Sequence, residues 1–360
     1  MQENTKNVIV SVGFLIILFI VFLVNIIIKD KEISIAERRK LSQFPEISIS
    51  KLFNGDFAKK FDKYSVDQFV ARDVFRSIKA FNSRYIFGQK DNNKLFEKDG
   101  AIYKIEYPLN KNNVQKSADK IKAIYTKYLQ NMNVYYSIIP DKNYYLKNDD
   151  HLKMDYEELY NIMNTTLGEL NYIDISNDLS LEDYYKTDLH WRQEKLNNVV
   201  NTIKNNMNLS INEIEYEIKE VGKFYGTYYG QLGINVQPDN MYILTNKTVE
   251  NCTTYNLETK EYGKIYNEKA KIDKYDIYLS GATPLITIEN PNANVEKELL
   301  LFRDSFGSSI APLLVENYSK ITLIDIRYIS STLLDQYIKF KDQDVLFLYS
   351  SLILNQNILK

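Results

Sequence analysis

From Val8 to Ile28 the chain reads VIVSVGFLIILFIVFLVNIII, 21 residues without a charge, interrupted only by Ser11, Gly13 and Asn25. At a rise of about 1.5 Å per residue, such a helix spans a hydrocarbon core about 30 Å thick. A cleaved signal peptide has a shorter apolar region, roughly 7–15 residues, followed by small residues at the cleavage site. The stretch NIIIKDK that closes this run has no such site. We read residues 8–28 as an uncleaved signal anchor, with cleavage as the alternative. Lys6 alone precedes the span, whereas Lys29, Lys31, Arg38, Arg39 and Lys40 follow it. Taken literally, the positive-inside rule favours a cytoplasmic bulk; large following domains, however, translocate largely regardless of charge. The expectation is a cytoplasmic tail (1–7) and an external remainder. A cytoplasmic domain is the alternative, which protease accessibility of intact cells distinguishes.

Charge and composition narrow the function classes. The 360 residues carry 45 Lys+Arg against 47 Asp+Glu, a net charge of −2, so no basic excess exists to neutralise a nucleic-acid backbone. With 44% hydrophobic residues, 29 Tyr and 17 Phe, the chain can bury one large core or two smaller ones. A single thiol, Cys252, allows neither an intrachain disulfide nor a Cys-rich zinc site, and burial as a small apolar side chain is expected for it. The only histidines are His151 and His190, which excludes metal sites built from several imidazoles. Neither a phosphate-binding Gly-rich loop nor a dinucleotide fingerprint is present, and no cofactor or metal is expected.

Residues 29–112 read as a juxtamembrane helical region. Phe57, Phe61, Tyr64, Val66, Phe69, Val74, Ile78 and Phe81 recur near three-to-four spacing, predicting an amphipathic helix or a broken pair of them that packs on the next domain. Gly100 marks a turn into a short strand. From residue 113 to 360 helical and strand patterns alternate. Helical stretches 114–132, 156–170, 191–207, 308–317 and 331–339 are interleaved with the apolar strands VYYSII, YIDI, ELLLF, ITLIDI and VLFLYSS. This rhythm predicts an α/β fold with a largely parallel sheet covered by helices on both faces. Residues at about 218–290 are Tyr-, Thr- and Asn-rich with short alternating runs, and read as an inserted β-hairpin region beside the sheet.

Two short elements could do chemistry. In KTDLHW (186–191) Asp188 and His190 stand two apart, so in a turn the carboxylate can orient the imidazole and favour its protonated form during proton transfer. Trp191, the only tryptophan, would wall such a site. A surface Asp–His pair is the plainer reading of these residues. In LLLFRDSFGSS (299–309) an apolar strand runs into Asp304-Ser305-Phe306-Gly307, which sets the Ser305 hydroxyl at the carboxyl edge of a sheet, where open α/β folds keep their sites. The backbone N–H groups of Ser305 and Phe306, with Gly281 as a weaker candidate, are possible oxyanion donors. The plainer reading is a helix N-cap at Ser305 or Ser308. As a nucleophile Ser305 needs a base, His190 or His151, and His151 lies in the polar stretch NDDHLKMD.

Together these elements resemble the signatures of the DHHW proteins, relatives of the SGNH-like domains of alginate O-acetylation proteins. ERRKLSQFPEIS (37–48), NGDFAKKFDKYSVDQFVARD (54–73), IPDKNYY (139–145), FYGTYYGQLG (224–233), YDIYLSG (275–281) and LIDIRYI (323–329) extend the resemblance in the same order over nearly all of the chain after the apolar segment. Leu189 stands where the family name asks for its first His, and Arg303-Asp304-Ser305 where SGNH hydrolases have Gly-Asp-Ser. The resemblance implies an SGNH-hydrolase-like sheet with flanking helices and an extracytoplasmic domain. It also implies a Ser305-His190-Asp188 triad that moves an acetyl group onto a cell-surface or secreted polysaccharide. The implied partner is a membrane-bound O-acyltransferase that supplies the acyl group, because acetyl-CoA is absent outside the cell. Trp191, Tyr228, Tyr229 and Arg327 are candidates for the acceptor site. A carbohydrate O-acetylesterase, with water as acceptor, and a non-catalytic envelope scaffold with His190 and Ser305 apart are the alternatives.

Overall fold

The runs Val134–Ile139, Glu298–Arg303 and Asp344–Ser350 are apolar at consecutive positions. Consecutive side chains of a strand point to opposite faces, so such strands need cover on both. The structure, a computed structural model, describes residues 2–34, 37–147, 149–211, 214–234, 236–270 and 272–360. In it these strands form the middle of an eight-stranded sheet, in the order Glu261–Gly263, Thr253–Asn256, Leu285–Glu289, Lys320–Ile324, Glu298–Arg303, Asp344–Ser350, Val134–Ile139, Asn171–Tyr172. The last five are parallel, and the first three are added antiparallel at one edge. Leu299 and Leu301 point into one core with Ile139, Leu346 and Leu348, while Leu300 and Phe302 point into the other with Ile138 and Phe347.

Each face has its helices. Val199, Val200 and Ile203 of helix Asn197–Asn206 cover the first core. Val114, Ala118, Ile121 and Ile124 of Lys111–Ile124, with Leu159 and Met163 of Tyr156–Thr166, cover the second. Asn110 and Asp155 cap these two helices, their side chains accepting the N–H groups of Asn113 and Glu158, which otherwise lack intrahelical partners. The helix-flanked sheet expected from the sequence is therefore present.

Several elements differ in detail. The helix expected at 308–317 is a single α turn, Phe306–Ile310, followed by 3-10 turns, because Pro312 has no N–H to continue the ladder. The stretch at 331–339 is likewise a 3-10 segment, Ser331–Gln336. The Tyr-rich stretch divides. Glu217–Phe224 and Asp239–Thr245 pair as a separate antiparallel hairpin beside the sheet, while Thr253–Asn256, Glu261–Gly263 and Leu285–Glu289 extend the sheet itself.

At the amino end, helix Gln2–Ile27 is long and apolar enough to cross a membrane, and no part of its apolar window is buried in the rest of the molecule. An arm comes next in which Ile33–Ser34 pairs with Arg39–Lys40, then helices Ile49–Phe53, Asp56–Asp67 and Arg72–Phe81. The expected amphipathic pattern is a broken pair, interrupted at residues 68–71 where Ala71 takes a left-handed conformation (φ 55°), but Phe61, Val66, Phe69, Val74, Ile78 and Phe81 stay exposed instead of packing on the next domain. Gly100 turns the hairpin Leu95–Lys98/Ala101–Lys104. Cys252 is fully buried, and burial pushes its thiol up to about 12.

Leu301 is fully buried at the centre of the sheet. Leu301→Ala is expected to lower the unfolding free energy by about 2–5 kcal/mol, read by urea denaturation of the detergent-solubilised chain; a loss below about 1 kcal/mol would mean the core there collapses around the gap.

Candidate active site

The Glu298–Arg303 strand ends at Asp304, whose buried carboxylate shapes the turn that carries Ser305. Its Oδ1 accepts the Phe306 N–H (2.9 Å), and its Oδ2 accepts the N–H and hydroxyl of Ser350 (2.8 and 2.7 Å) at the end of the neighbouring strand. The turn is thereby stapled across two strand ends with Ser305 at its apex. Gly307 allows the tightness, since a Cβ there would lie 2.5 Å from Cβ of Arg303. Arg303 stands where Gly was expected and its side chain is buried, 3.7 Å from Asp325.

The loop 184–191 comes from a distant part of the chain and is closed by the Tyr184–Trp191 bridge and a Tyr185 N–H bond to the His190 carbonyl (3.0 Å). Asp239 accepts the N–H groups of Lys186 and Thr187 and the Thr187 hydroxyl, holding the loop from below. Within it Asp188 Oδ1 faces His190 Nδ1 at 2.5 Å and accepts the His190 N–H at 3.0 Å. His190 Nε2 lies 2.7 Å from Ser305 Oγ. With Nδ1–H donated to the carboxylate, Nε2 is free to accept the serine proton, which is the relationship a base and nucleophile require. His151 does not compete. It stacks on Phe96 (3.6 Å between centroids), with its Nδ1 2.7 Å from Asp149.

Asp188 is wholly buried and its other oxygen has two further donors, the Thr227 N–H and Arg38 Nη1, each at 2.6 Å. Burial alone would raise the carboxyl, but Arg38, His190 and the Thr227 N–H hold it well below the ordinary carboxylate range. Arg38 comes from the arm after the apolar helix. Its guanidinium also bonds Thr227 Oγ1 (2.9 Å) and Asp273, and lies over the Phe224 ring. The chain around Thr227 reaches Asp188 because residue 226 is glycine: a Cβ there would sit 2.3 Å from the Thr187 carbonyl oxygen and 2.4 Å from Asp188 Cβ. Tyr275 stacks on the His190 ring at 3.8 Å and 13°. Below the loop, Lys142 donates to the carbonyls of Tyr185 (2.9 Å) and Lys186 (3.3 Å). Burial pushes its ammonium down to about 8, with Asp188, Asp239 and Asp141 pulling the other way.

The remaining sequence candidates fare differently. Trp191 is fully buried and does not wall the cleft. Its indole N–H donates to the Phe306 carbonyl (3.2 Å) and Ser309 Oγ (2.8 Å), so it ties the histidine loop to the serine turn. Arg327 is committed to Asp325, donating from Nε (2.8 Å) and Nη2 (2.6 Å), and does not line the cleft. Tyr228 lines the small cavity, about 150 Å³, that opens on Ser305 together with Leu189, Thr227, Gln231 and Gln356. Tyr229 lines a larger cavity, about 690 Å³, beside Ile28 and residues 67–74; that cavity contains none of Ser305, His190 and Asp188. Two expected oxyanion donors are already bonded: the Phe306 N–H to Asp304 and the Gly281 N–H to the Tyr278 carbonyl (3.2 Å). Of that set only the Ser305 N–H has no acceptor among the described residues. Among the described residues no three His, Cys, Asp or Glu side chains meet as a metal site needs.

Sequence reasoning about single residues missed Arg38, Lys142, Thr227, Asp239 and Tyr275. Apart from Asp239, each lies in a block that carries the family resemblance: ERRKLSQ, IPDKNYY, FYGTYYG and YDIYLSG.

A family model described as DHHW protein matches residues 148–324. The chain is similar in fold to the crystal structure of a DHHW family protein from Eubacterium siraeum, with 19% identity and a TM-score of 0.63 over 74% of this chain and 95% of that one. It is also similar to Bacillus cereus PatB1, solved with a sulfonyl adduct, with 21% identity and a TM-score of 0.60 over 74% of this chain and 97% of that one. No curated protein matches the chain.

Two measurements probe the supports of this site. Removing a cation beside the Asp–His pair stabilises its protonated form, so Arg38→Met is expected to move the acid limb of the rate of Ser305 acylation by an activated ester upward by about one to three pH units. Arg38→Lys should restore part of the shift, and an unmoved profile in both would remove Arg38 from the site's electrostatics. Lys142 has a folded-state pKa near 8 against 10.5 for the ordinary side chain. Between these values the unfolded chain binds a proton that the folded one lacks, so its contribution to stability rises with pH, by up to about 1.4 kcal/mol per unit. The difference in unfolding free energy between wild type and Lys142→Met should therefore widen in favour of wild type from pH 8 to 9.5, and a constant difference would contradict the burial effect.

Proposed function

We propose that this chain, whose residues 148–324 match the DHHW family model, is a membrane-anchored, extracytoplasmic SGNH-type O-acetyltransferase that acts on a cell-surface or secreted polysaccharide. The observation that carries this reading is the line of contacts from Asp188 through His190 to Ser305, 2.5 Å and then 2.7 Å, in a small cleft. A half-buried serine beside a buried Asp–His pair has no structural need of that arrangement, whereas acyl transfer does.

In the proposed reaction His190 Nε2 takes the Ser305 proton as Oγ attacks the acetyl carbonyl carbon of the donor. The tetrahedral oxyanion accepts the Ser305 N–H, and the donor's leaving group departs with the proton held on His190. A sugar hydroxyl then attacks the acetyl-serine, His190 takes its proton, and collapse returns that proton to Ser305 Oγ. Asp188 keeps the imidazole in the tautomer with Nε2 unprotonated and stabilises the charge it gains. Tyr228 and the polar rim of the cleft receive the acceptor. The sulfonyl adduct reported for Bacillus cereus PatB1 supports the choice of an electrophile as a probe. The apolar helix Gln2–Ile27 supports anchoring, and the donor would be a membrane-bound O-acyltransferase that passes acetyl groups across the bilayer.

The test uses the full chain in detergent with p-nitrophenyl acetate and an added oligosaccharide. One acetyl adduct on Ser305 is expected by mass spectrometry, with turnover lowered at least about a thousandfold in Ser305→Ala and His190→Ala. Acetyl transfer to the sugar should exceed release to water. Equal turnover in all three proteins would sink the assignment, and release to water alone would make the protein an esterase.

A further inference from the structure

We propose that the helix Arg72–Phe81 and the turn after it lie on the bilayer surface as a second, interfacial membrane contact. This rests on the reading of Gln2–Ile27 as an anchor. The helix has two unlike faces. On one, Arg76 donates to the Gly230 carbonyl (2.7 Å), Arg72 and Arg76 pair with Glu37, and Ala80 and Ser83 are buried against the body of the protein. On the other, Val74, Phe75, Ile78, Phe81 and Tyr85, spaced along one helical face, are each 50–60% exposed. Such a contiguous apolar stripe on a polar chain marks a contact with another apolar phase.

Its place in the molecule selects that phase. The N–H of Val70 donates to Asn25 Oδ1 at 2.8 Å, and Asn25 stands in the last turn of the 26-residue apolar helix. The uncharged run ends at Ile28 and is followed by Lys29, Asp30 and Lys31, so Asn25 lies about one turn from the boundary between hydrocarbon and headgroups. Val74 follows Val70 by four residues and cannot be more than about 14 Å from it. The stripe thus begins within reach of the interface, on the same side as the folded domain. Charge agrees. Residues 51–90 carry nine Lys and Arg against four Asp and no Glu, in a chain whose net charge is −2. Lys59, Lys60, Lys63 and Lys79 are all exposed. Exposed aromatics beside basic side chains are the composition of helices that lie in the headgroup layer of anionic membranes. A protein groove would fit the stripe but gives no account of the basic excess or of the bond to Asn25.

The experiment reconstitutes the full chain, in a Cys252→Ala background, into vesicles of phosphatidylcholine and phosphatidylglycerol. An environment-sensitive fluorophore is attached in turn through Phe75→Cys, Phe81→Cys and, as a distant exposed control, Tyr262→Cys. With phosphatidylcholine brominated on its acyl chains, emission from positions 75 and 81 is expected to shift to the blue and lose most of its intensity, while position 262 is unchanged. If the chain resists alkaline carbonate extraction yet positions 75 and 81 are not quenched, the interfacial contact is wrong and the anchor stands. If carbonate releases the chain, the anchor reading fails and this one with it. Cross-linking between copies through positions 75 and 81, without quenching, would make the stripe a homo-oligomer interface and overturn the proposal.

Discussion

A carboxylate removed from water must be satisfied at both oxygens or take up a proton, and Asp188 meets this demand with four donors drawn from three regions of the chain. His190 contributes its backbone N–H and Nδ1, Thr227 its N–H, and Arg38 its guanidinium. Because the carboxylate stays charged, the imidazole is held in one tautomer with Nε2 turned to Ser305. Each donor also fixes its own segment. Thr227 brings the short helix that carries Tyr228 to the cleft, with Gly226 clearing the approach, and Arg38 brings the arm that succeeds the apolar helix.

The serine turn and the histidine loop are joined by more than the bond between their reactive atoms. Trp191 spans them, its ring against Phe306 and its N–H on the Phe306 carbonyl and Ser309. Gln193 and Tyr275 converge on the same Ser309. The 2.7 Å contact is therefore set by a buried, hydrogen-bonded scaffold rather than by two free side chains. That is the arrangement precision at a reacting centre demands, since a displacement of about 1 Å there costs orders of magnitude in rate.

Much of this is legible in the amino-acid order alone. Strand periodicity marks the buried parallel strands because both of their faces are apolar, and the motif at 186–191 and the strand-Asp-Ser junction point at residues that do meet. The failures have physical causes. Trp191 reads as a wall because a lone tryptophan next to a histidine attracts that reading, but its size makes it a core residue. Arg327 reads as free when Asp325, two positions away, occupies it. The Phe306 N–H looks available from its position at a helix start, yet the Asp304 side chain takes it, a short-range competition that periodicity does not register. Arg38 lies 150 residues from Asp188, and no local pattern announces a contact of that span. In the sequence it is visible only as part of a block of resemblance without a role.

That span has a consequence for how the molecule comes into being. Arg38 is synthesised before Asp188, Thr227 and Asp273, which receive it and follow it by 150, 189 and 235 positions. At roughly 5–20 residues per second, the last of these arrives more than ten seconds later. Throughout that interval the nascent chain holds a positive arm beside its apolar helix with nowhere to dock. The cluster around Asp188 is thus a product of late closure. The arm that is made earlier finishes it, and a partly made molecule carries the supports of Asp188 in separate pieces.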